Sequence, residues 1–340
     1  MPVLQNYTDV HVDRPLTNLS IAHWQDTSLF VASRFFTVQN VNNASDTYTT
    51  YPQGYFNRTF NTRRDEEGVA NSIGYGSNED RYSVSEDALR IFISDKKRAN
   101  ADSHRNLDME ATRVTTDALL LGKEAEFNTN FLTTSKWSVD RTGVASGPTG
   151  NQFIQWSDYT NSDPISDVKT ATTDMVLRSG GRRPNRALMT LDVWQALSEH
   201  PDIIDRIKFT SSNDNPAIVN VRAMAALMEL DEIMIMQTVV NNADDGVEDS
   251  GTGLPAVNNQ FVASKVFLLA HVAPTGLYSA TAGITFVWNQ YIGLGVDGGP
   301  AIRRYRPQDG RKGEYIEAEM AIDQKLVSAD LGQLFSSVIA

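Results

Sequence analysis

The sequence predicts an α+β protein in which mixed sheets and helices carry an extended hairpin, and three observations predict it. Residues 106–132 place Leu107, Ala111, Val114, Ala118, Leu121 and Ala125 at alternating steps of four and three, an apolar stripe along about five helical turns. Short strand-like runs recur on both sides of that helix, separated by Gly-, Asn- and Asp-rich turns. Residues 39–82 hold seven aromatics but only three larger aliphatics, Val41, Val69 and Ile73. Such a stretch has too much ring surface for an idle linker and too few aliphatics for a core, so it is expected to spread over another part of the chain or another copy.

The elements follow in order. Residues 1–30 are poorly periodic and read as an arm. Residues 30–41 read as a strand, 47–60 as extended chain with roughly alternating rings, and 82–93 as a returning strand. Between them, residues 61–80 combine TRRDEEG, GYG and SNED, the turn and charge chemistry of an exposed loop, so the whole reads as one long hairpin. The helix stripe is half alanine, which lets a flat sheet or an extended arm approach closely. Residues 135–155 are a Gly/Ser/Thr-rich connection. Asp163–Pro164 then supplies an N-cap and first-turn proline, Gly180–Gly181 the stop, and Ile165, Val168, Thr172 and Met175 the stripe of a second helix.

From Arg182 onward short strands and helices alternate. Residues 187–191 read as a strand, followed by a helix through Trp194 and Leu197 and helical turns over 201–208. Asn220 caps a helix through Leu230, 232–239 is a strand, 241–260 an acidic Gly-rich loop, and 265–272 a buried strand. Residues 285–292 and 301–306 read as strands. In 314–327, Ile316, Ala318, Met320 and Ile322 alternate with Glu317, Glu319 and Ala321, the pattern of a strand with one wet face. No internal repeat is visible.

Composition and motifs narrow the function. A chain of 340 residues predicts two domains or one elaborated domain. Cysteine is absent, which excludes disulfides, thiol nucleophiles and Cys-ligated zinc and fits an intracellular origin. The N-terminus lacks the basic flank and apolar run of a signal peptide, and no window approaches a membrane span. A net charge of −12 argues against sequence-independent binding to DNA or anionic membranes. The small basic groups (Lys96, Lys97, Arg98; Arg303, Arg304, Arg306; Arg311, Lys312) read as solvated faces and turns. Gly293 to Gly298 matches G-x-G-x-x-G, but Gly299–Pro300 and a strand follow where a phosphate site needs a helix, so it reads as a turn. Asp244, Asp245, Glu248 and Asp249 miss the calcium-loop spacing, because Thr252 stands at the twelfth position from Asn241. His11, His23, His104, His200 and His271 form no helical ligand pair, and His200 reads as a helix C-terminal cap. No catalytic, cofactor-binding or metal-ligating residue is nominated, and an enzyme reading is unsupported.

The order of parts resembles the major capsid proteins of tailed bacteriophages, with their Hong-Kong-97-type fold. Residues 30–41 with Tyr48 and Tyr51 resemble the strand entering that family's extended loop, 82–93 its return, and 106–132 its spine helix. Trp156–Ser157–Asp158 through Ser162–Asp163–Pro164–Ile165 to Gly180–Gly181 resembles the second peripheral helix. Pro184–Asn185–Arg186–Ala187–Leu188–Met189, then Val193–Trp194, Leu197, His200–Pro201 and Ile204–Asp205–Arg206–Ile207–Lys208, resembles the opening of the axial domain. Asp323–Gln324–Lys325 and Ala329–Asp330–Leu331–Gly332 resemble the closing strands.

The resemblance implies an N-terminal arm (1–33), a peripheral domain (34–57, 81–181 and 300–325) bearing an extended loop (58–80), and an axial domain with a mixed sheet (182–299 and 326–340). It implies a non-enzymatic shell subunit that assembles as hexamers and pentamers into an icosahedral phage head around double-stranded DNA, without cofactor, metal, membrane or sequence-specific DNA binding. Assembly in the host bacterial cytoplasm and a place in the virion capsid follow. So do a separate scaffolding protein, because the sequence passes almost directly from Met1 into the arm, and a portal and decoration protein as partners. Residues 1–33 and the loop are then expected on neighbouring subunits, with Arg58, Phe60, Arg63, Arg64, Asp65, Glu66, Glu67 and Tyr75 as contact residues. Tyr48, Tyr51, Tyr55, Phe56 and Tyr82 are expected to pack on the loop's base. An encapsulin-type compartment shares the fold as an alternative; a nucleotide-binding α/β enzyme using Gly293 to Gly298 is the remote one.

Overall fold

The computed structural model describes residues 26, 29–64, 66–101, 106–210, 219–243, 256–274, 279–288, 299–308 and 310–340, with the side chains of 208–210 excepted. In chain order the strands are β1 (Thr37–Val41), β2 (Ser45–Thr50), β3 (Asn78–Ser83), β4 (Ser85–Ser94), β5 (Asp140–Val144), β6 (Gln152–Ile154), β7 (Arg186–Thr190), β8 (Glu232–Met236), β9 (Val239–Asn241), β10 (Asn259–Phe261), β11 (Phe267–Ala270), β12 (Gly283–Trp288), β13 (Ala301–Tyr305), β14 (Gly313–Leu326) and β15 (Gly332–Ser336). A helix of 25 residues, Leu107–Phe131, runs between β4 and β5.

Two sheets organise the molecule. The five-stranded sheet is built on β14, whose one edge pairs with β4 and whose other edge is shared by β13 over its first half and β12 beyond; β1 adds in parallel to β12. The six-stranded sheet has the order β6-β5-β15-β11-β7-β8 and mixes parallel with antiparallel pairs. Its central strands are apolar on both faces, as a sheet covered on both sides requires. Ala187, Met189, Phe267, Leu269 and Phe335 face a core shared with Trp156, the helix Pro164–Ser179 and the helices Leu191–Ser198, Pro201–Thr210 and Val221–Leu227. Leu188, Leu268 and Leu334 face a second core with Phe35, Phe36, Phe127, Phe131 and Trp137. Strand membership departs from the expected division in two places. β5 and β6, expected with 81–181, lie in the six-stranded sheet because β15 pairs in parallel with β5; β12, expected with 182–299, pairs with β14 in the five-stranded sheet.

Local chemistry sets the helix ends. The side chain of Asn106 accepts the Met109 amide at 3.1 Å, and Asp108 and Glu110 face the positive end of the helix dipole. Helix Pro164–Ser179 starts on Asp163, which accepts the Ser166 amide, and stops at Gly180 in a left-handed conformation, φ 72°. His200 does not cap the preceding helix. It is fully buried between Ser162 Oγ, 3.0 Å from Nε2, and the Asp202 amide, which donates to Nδ1 at the start of the next helix. Burial holds its imidazole below the ordinary range and so neutral at pH 7, with Asp202 opposing that shift.

The long helix corrects its expected stripe. Ala111, Thr115, Leu119, Lys123, Phe127 and Phe131 are buried, whereas Val114, Ala118 and Ala125 are exposed. Repeated steps of four drift around the helix by roughly 40° each, about 200° in all. The buried line therefore winds from the five-stranded sheet, where Ala111 meets Ile93 and Ile316, to the second core at Phe127 and Phe131. Thr115 can occupy that line because its hydroxyl donates to the Ala111 carbonyl at 2.9 Å. β14 also departs from its expected wet face: Glu319 and Ala321 are buried along with their apolar neighbours. β13 and β4 flank that stretch, and Arg303 lies over Glu319 at 3.2 Å. The expected strand over 30–41 begins only at Thr37; residues 30–36 are turn and coil.

Candidate assembly surface

β2 and β3 form an antiparallel ladder from Ser45–Ser83 to Thr50–Asn78, so the hairpin is real but its legs diverge below it into separate pairings of the five-stranded sheet. Its base is locked onto that sheet. Tyr82 stacks on Phe286 at 4.6 Å and 20°, and Tyr48 meets the same ring at 5.8 Å. Tyr48 donates its hydroxyl to Asp80 at 2.8 Å, Lys325 pairs with Asp80 at 3.3 Å, and the Ser83 amide donates to Asp323 at 2.9 Å. Burial and the Asp80 carboxylate push the Tyr48 phenol well above its ordinary value. For Asp80 burial acts upward, but hydrogen bonds from Tyr48, the Arg81 amide and Lys325 outweigh it and hold the carboxyl below its ordinary range.

Beyond Thr50 and Asn78 the ladder ends, and residues 51–77 carry their rings without a sheet beneath them. Tyr51, Tyr55, Phe56 and Phe60 are each 44–47 % exposed, Tyr75 71 % and Val69 93 %. Tyr48 and Tyr82 thus pack on the base as expected, while Tyr51, Tyr55 and Phe56 do not; they lie exposed like Phe60. The loop makes thin internal contacts: Tyr51 meets Phe56 and Tyr75 at 6.3 and 6.1 Å, and Asn71 donates to the Asn61 carbonyl at 2.8 Å. Gln53 and Asn57 rest against Gly180, where any Cβ would collide with them. Arg58, Arg63, Arg64, Glu66 and Glu67 are exposed, and none forms an ion pair among the described residues; Asp65 lies outside them. The charge signal singled out these residues, whereas the exposure of Tyr51 and Phe56 had no separate signal from that of Tyr48.

A second exposed apolar surface was not anticipated. The outward face of the long helix presents Val114, Ala118 and Ala125, three members of the apolar stripe read from the sequence, and Met109 near its start is exposed as well. The arm gives a mixed outcome. Its first 25 residues lie outside the described ones, but Phe30, Val31 and Ala32, expected on a neighbour, are buried within their own subunit. The glycine-rich run at 293–298 and the acidic positions 244–249 also lie outside the described residues. Among the described residues no cluster is placed to hold a metal ion, and no helix is long and apolar enough to cross a membrane.

No family model matches the sequence. The major capsid protein of Pseudomonas phage JBD67 is 22% identical over 271 residues, covering 79% of each chain. A phage-related protein from Bordetella bronchiseptica RB50 superposes with a TM-score of 0.63 at 20% identity, over 92% of this chain and 94% of that one. The capsid of cyanophage P-SCSP1u gives 0.59 at 10% identity, over 98% and 94%. An encapsulin complex from Synechococcus elongatus PCC 7942 gives 0.52 at 10%, over 99% and 97%. At such identities the solved structures establish the fold. The chain has the mixed α+β Hong-Kong-97-type capsid fold, and in sequence it is similar to a phage major capsid protein.

Proposed function

We propose that the chain is a major capsid protein whose copies tile an icosahedral phage head as hexamers and pentamers around double-stranded DNA. The observation that carries this reading is the hairpin: a base locked by Tyr82, Phe286 and Asp80, bearing a 51–77 segment of exposed rings with no partner surface among the described residues. Exposed aromatics presented on a rigid element suit burial against another copy, and contacts between unlike surfaces that close on themselves make shells. The exposed apolar stripe of the long helix offers a matching surface on that copy. Arg58, Arg63, Arg64, Asp65, Glu66 and Glu67 would set register more than strength, because exposed ion pairs contribute little. Phe60 and Tyr75 are the ring contacts, and the first 25 residues the arm laid on a neighbour.

The five-stranded sheet with the long helix would be the peripheral domain core, and the six-stranded sheet the axial one. A net charge of −12 suits a wall that encloses DNA without gripping it. A scaffolding protein, a portal and a decoration protein complete the reading, with assembly in the host cytoplasm and no enzymatic role. Electron microscopy of the purified chain tests it: closed shells are expected, and a uniformly monomeric protein under all assembly conditions counts against it. The fold neighbour from Synechococcus supports an encapsulin as the second reading, and shells that carry a protein cargo and no nucleic acid would favour it.

A further inference from the structure

The long helix buries two adjacent charged residues, Lys123 and Glu124, in the region where both sheets and the arm converge. Glu124 is fully buried, and its two carboxylate oxygens accept consecutive backbone amides from a segment some ninety residues earlier: Val31 to Oε1 and Ala32 to Oε2, both at 2.8 Å. Thr238, just past β8, adds its hydroxyl to Oε1 at 3.4 Å. A buried carboxylate survives only when its oxygens are so occupied. On its other side the arm root borders a cleft of about 200 Å³, between Leu29, Phe30, Val31 and Arg34 and the edge strand β8. Further along, Phe35 and Phe36 are sealed into the core, and Arg186 donates to the carbonyls of Arg34 and Phe35 at 3.1 and 2.6 Å.

We infer that Glu124 is a latch that aims the N-terminal arm, its carboxylate holding the Val31–Ala32 turn while Phe35 and Phe36 act as the pivot beneath it. Val31 and Ala32 also pack into the second core, and the cleft beside them gives the turn room to move away from the helix once the carboxylate lets go. Releasing the carboxylate frees residues 29–32 and leaves both sheets folded. Protonation is one way to release it, since a neutral carboxyl is a poorer acceptor and must place its own proton. Burial pushes the Glu124 carboxyl above its ordinary value, against its hydrogen bonds and the neighbouring ammonium of Lys123. The groups acting on it, among the described residues, are the Val31 and Ala32 amides of the arm, Thr238 from the segment after β8, and Lys123 on its own helix; Gln324 from β14 reaches the Lys123 carbonyl.

Hydrogen exchange on the full chain, followed in peptides covering the arm root and both sheets, tests the latch. In Glu124→Gln the Val31 and Ala32 amides should exchange roughly 10- to 100-fold faster, with β7 and β11 within twofold of wild type. Glu124→Asp, one methylene shorter, should recover only part of the protection. Unchanged arm-root exchange, or equal acceleration everywhere, overturns the proposal. If the variants do not fold, the wild-type chain decides. Lowering the pH from 7 to 4, with intrinsic rates corrected, should strip protection from Val31 and Ala32 first, and uniform protection overturns the latch. That a released arm also misdirects assembly rests on the capsid reading; a wild-type chain that never forms shells would sink that reading and leave the exchange result standing.

Discussion

The two halves of the hairpin are made of similar residues and behave in opposite ways. At the base, Tyr48 and Tyr82 share one partner ring, Phe286, where Tyr48 and Lys325 also hold Asp80 and the Ser83 amide donates to Asp323. A few residues further, Tyr51, Tyr55, Phe56 and Phe60 are nearly half exposed, and Tyr51 meets the rings of Phe56 and Tyr75. The rings are not intrinsically core or surface residues; the last rung of the ladder, Thr50–Asn78, decides. One half stores folding energy, and on the capsid reading the other keeps its apolar surface for a neighbouring copy.

The sharpest way to break the comparison is to remove the outer half. Deleting residues 58–77, which spares the β2–β3 ladder and Asp80, should leave a monomer with native circular dichroism and a melting temperature within a few degrees of wild type, but no shells by sedimentation or microscopy; shells of normal size would disprove the division. Tyr82→Ala should do the reverse, lowering unfolding free energy by about 3 kcal/mol in a denaturant titration, because it empties a stacked, buried site. Tyr48→Phe should cost about 1 kcal/mol at pH 7. The sign of its pH dependence follows from Asp80, whose carboxyl is held below the ordinary 3.8 in the folded chain. Its contribution is present above that value and lost as pH falls through the folded pKa, so the gap between Tyr48→Phe and wild type should close below pH 3.8. Tyr75→Ser should change monomer stability by less than about 0.5 kcal/mol while slowing assembly measured by light scattering.

Where sequence reading succeeded, the signal was local. Asp163–Pro164 and Gly180 fix both ends of a helix through capping bonds and a left-handed residue, and the hairpin is marked by its own turn chemistry. It failed where a distant partner changed the meaning of a residue. Lys123 and Glu124 look like surface charges, and nothing in their neighbourhood reveals that amides at 31 and 32 will satisfy the carboxylate. Because they turn inward, Val114, Ala118 and Ala125 turn outward, and only the start of the stripe, Leu107 and Ala111, packs as read. β12 and β5 were assigned by chain order, whereas β14 and β15 recruit them across long separations. Of the assembly surface, the loop and its charges were legible; the outward helix face was not.

The position of β15 has a consequence for how the subunit is made. It lies in the middle of the six-stranded sheet, between β5 and β11, yet follows every other strand in the chain. During synthesis β5, β6, β7, β8 and β11 must therefore wait as two unjoined halves until residues 332–336 emerge. β1 waits likewise for β12, whose residues follow across most of the chain. Both sheets close late, and on the capsid reading an incomplete subunit cannot present a finished wall element to its neighbours.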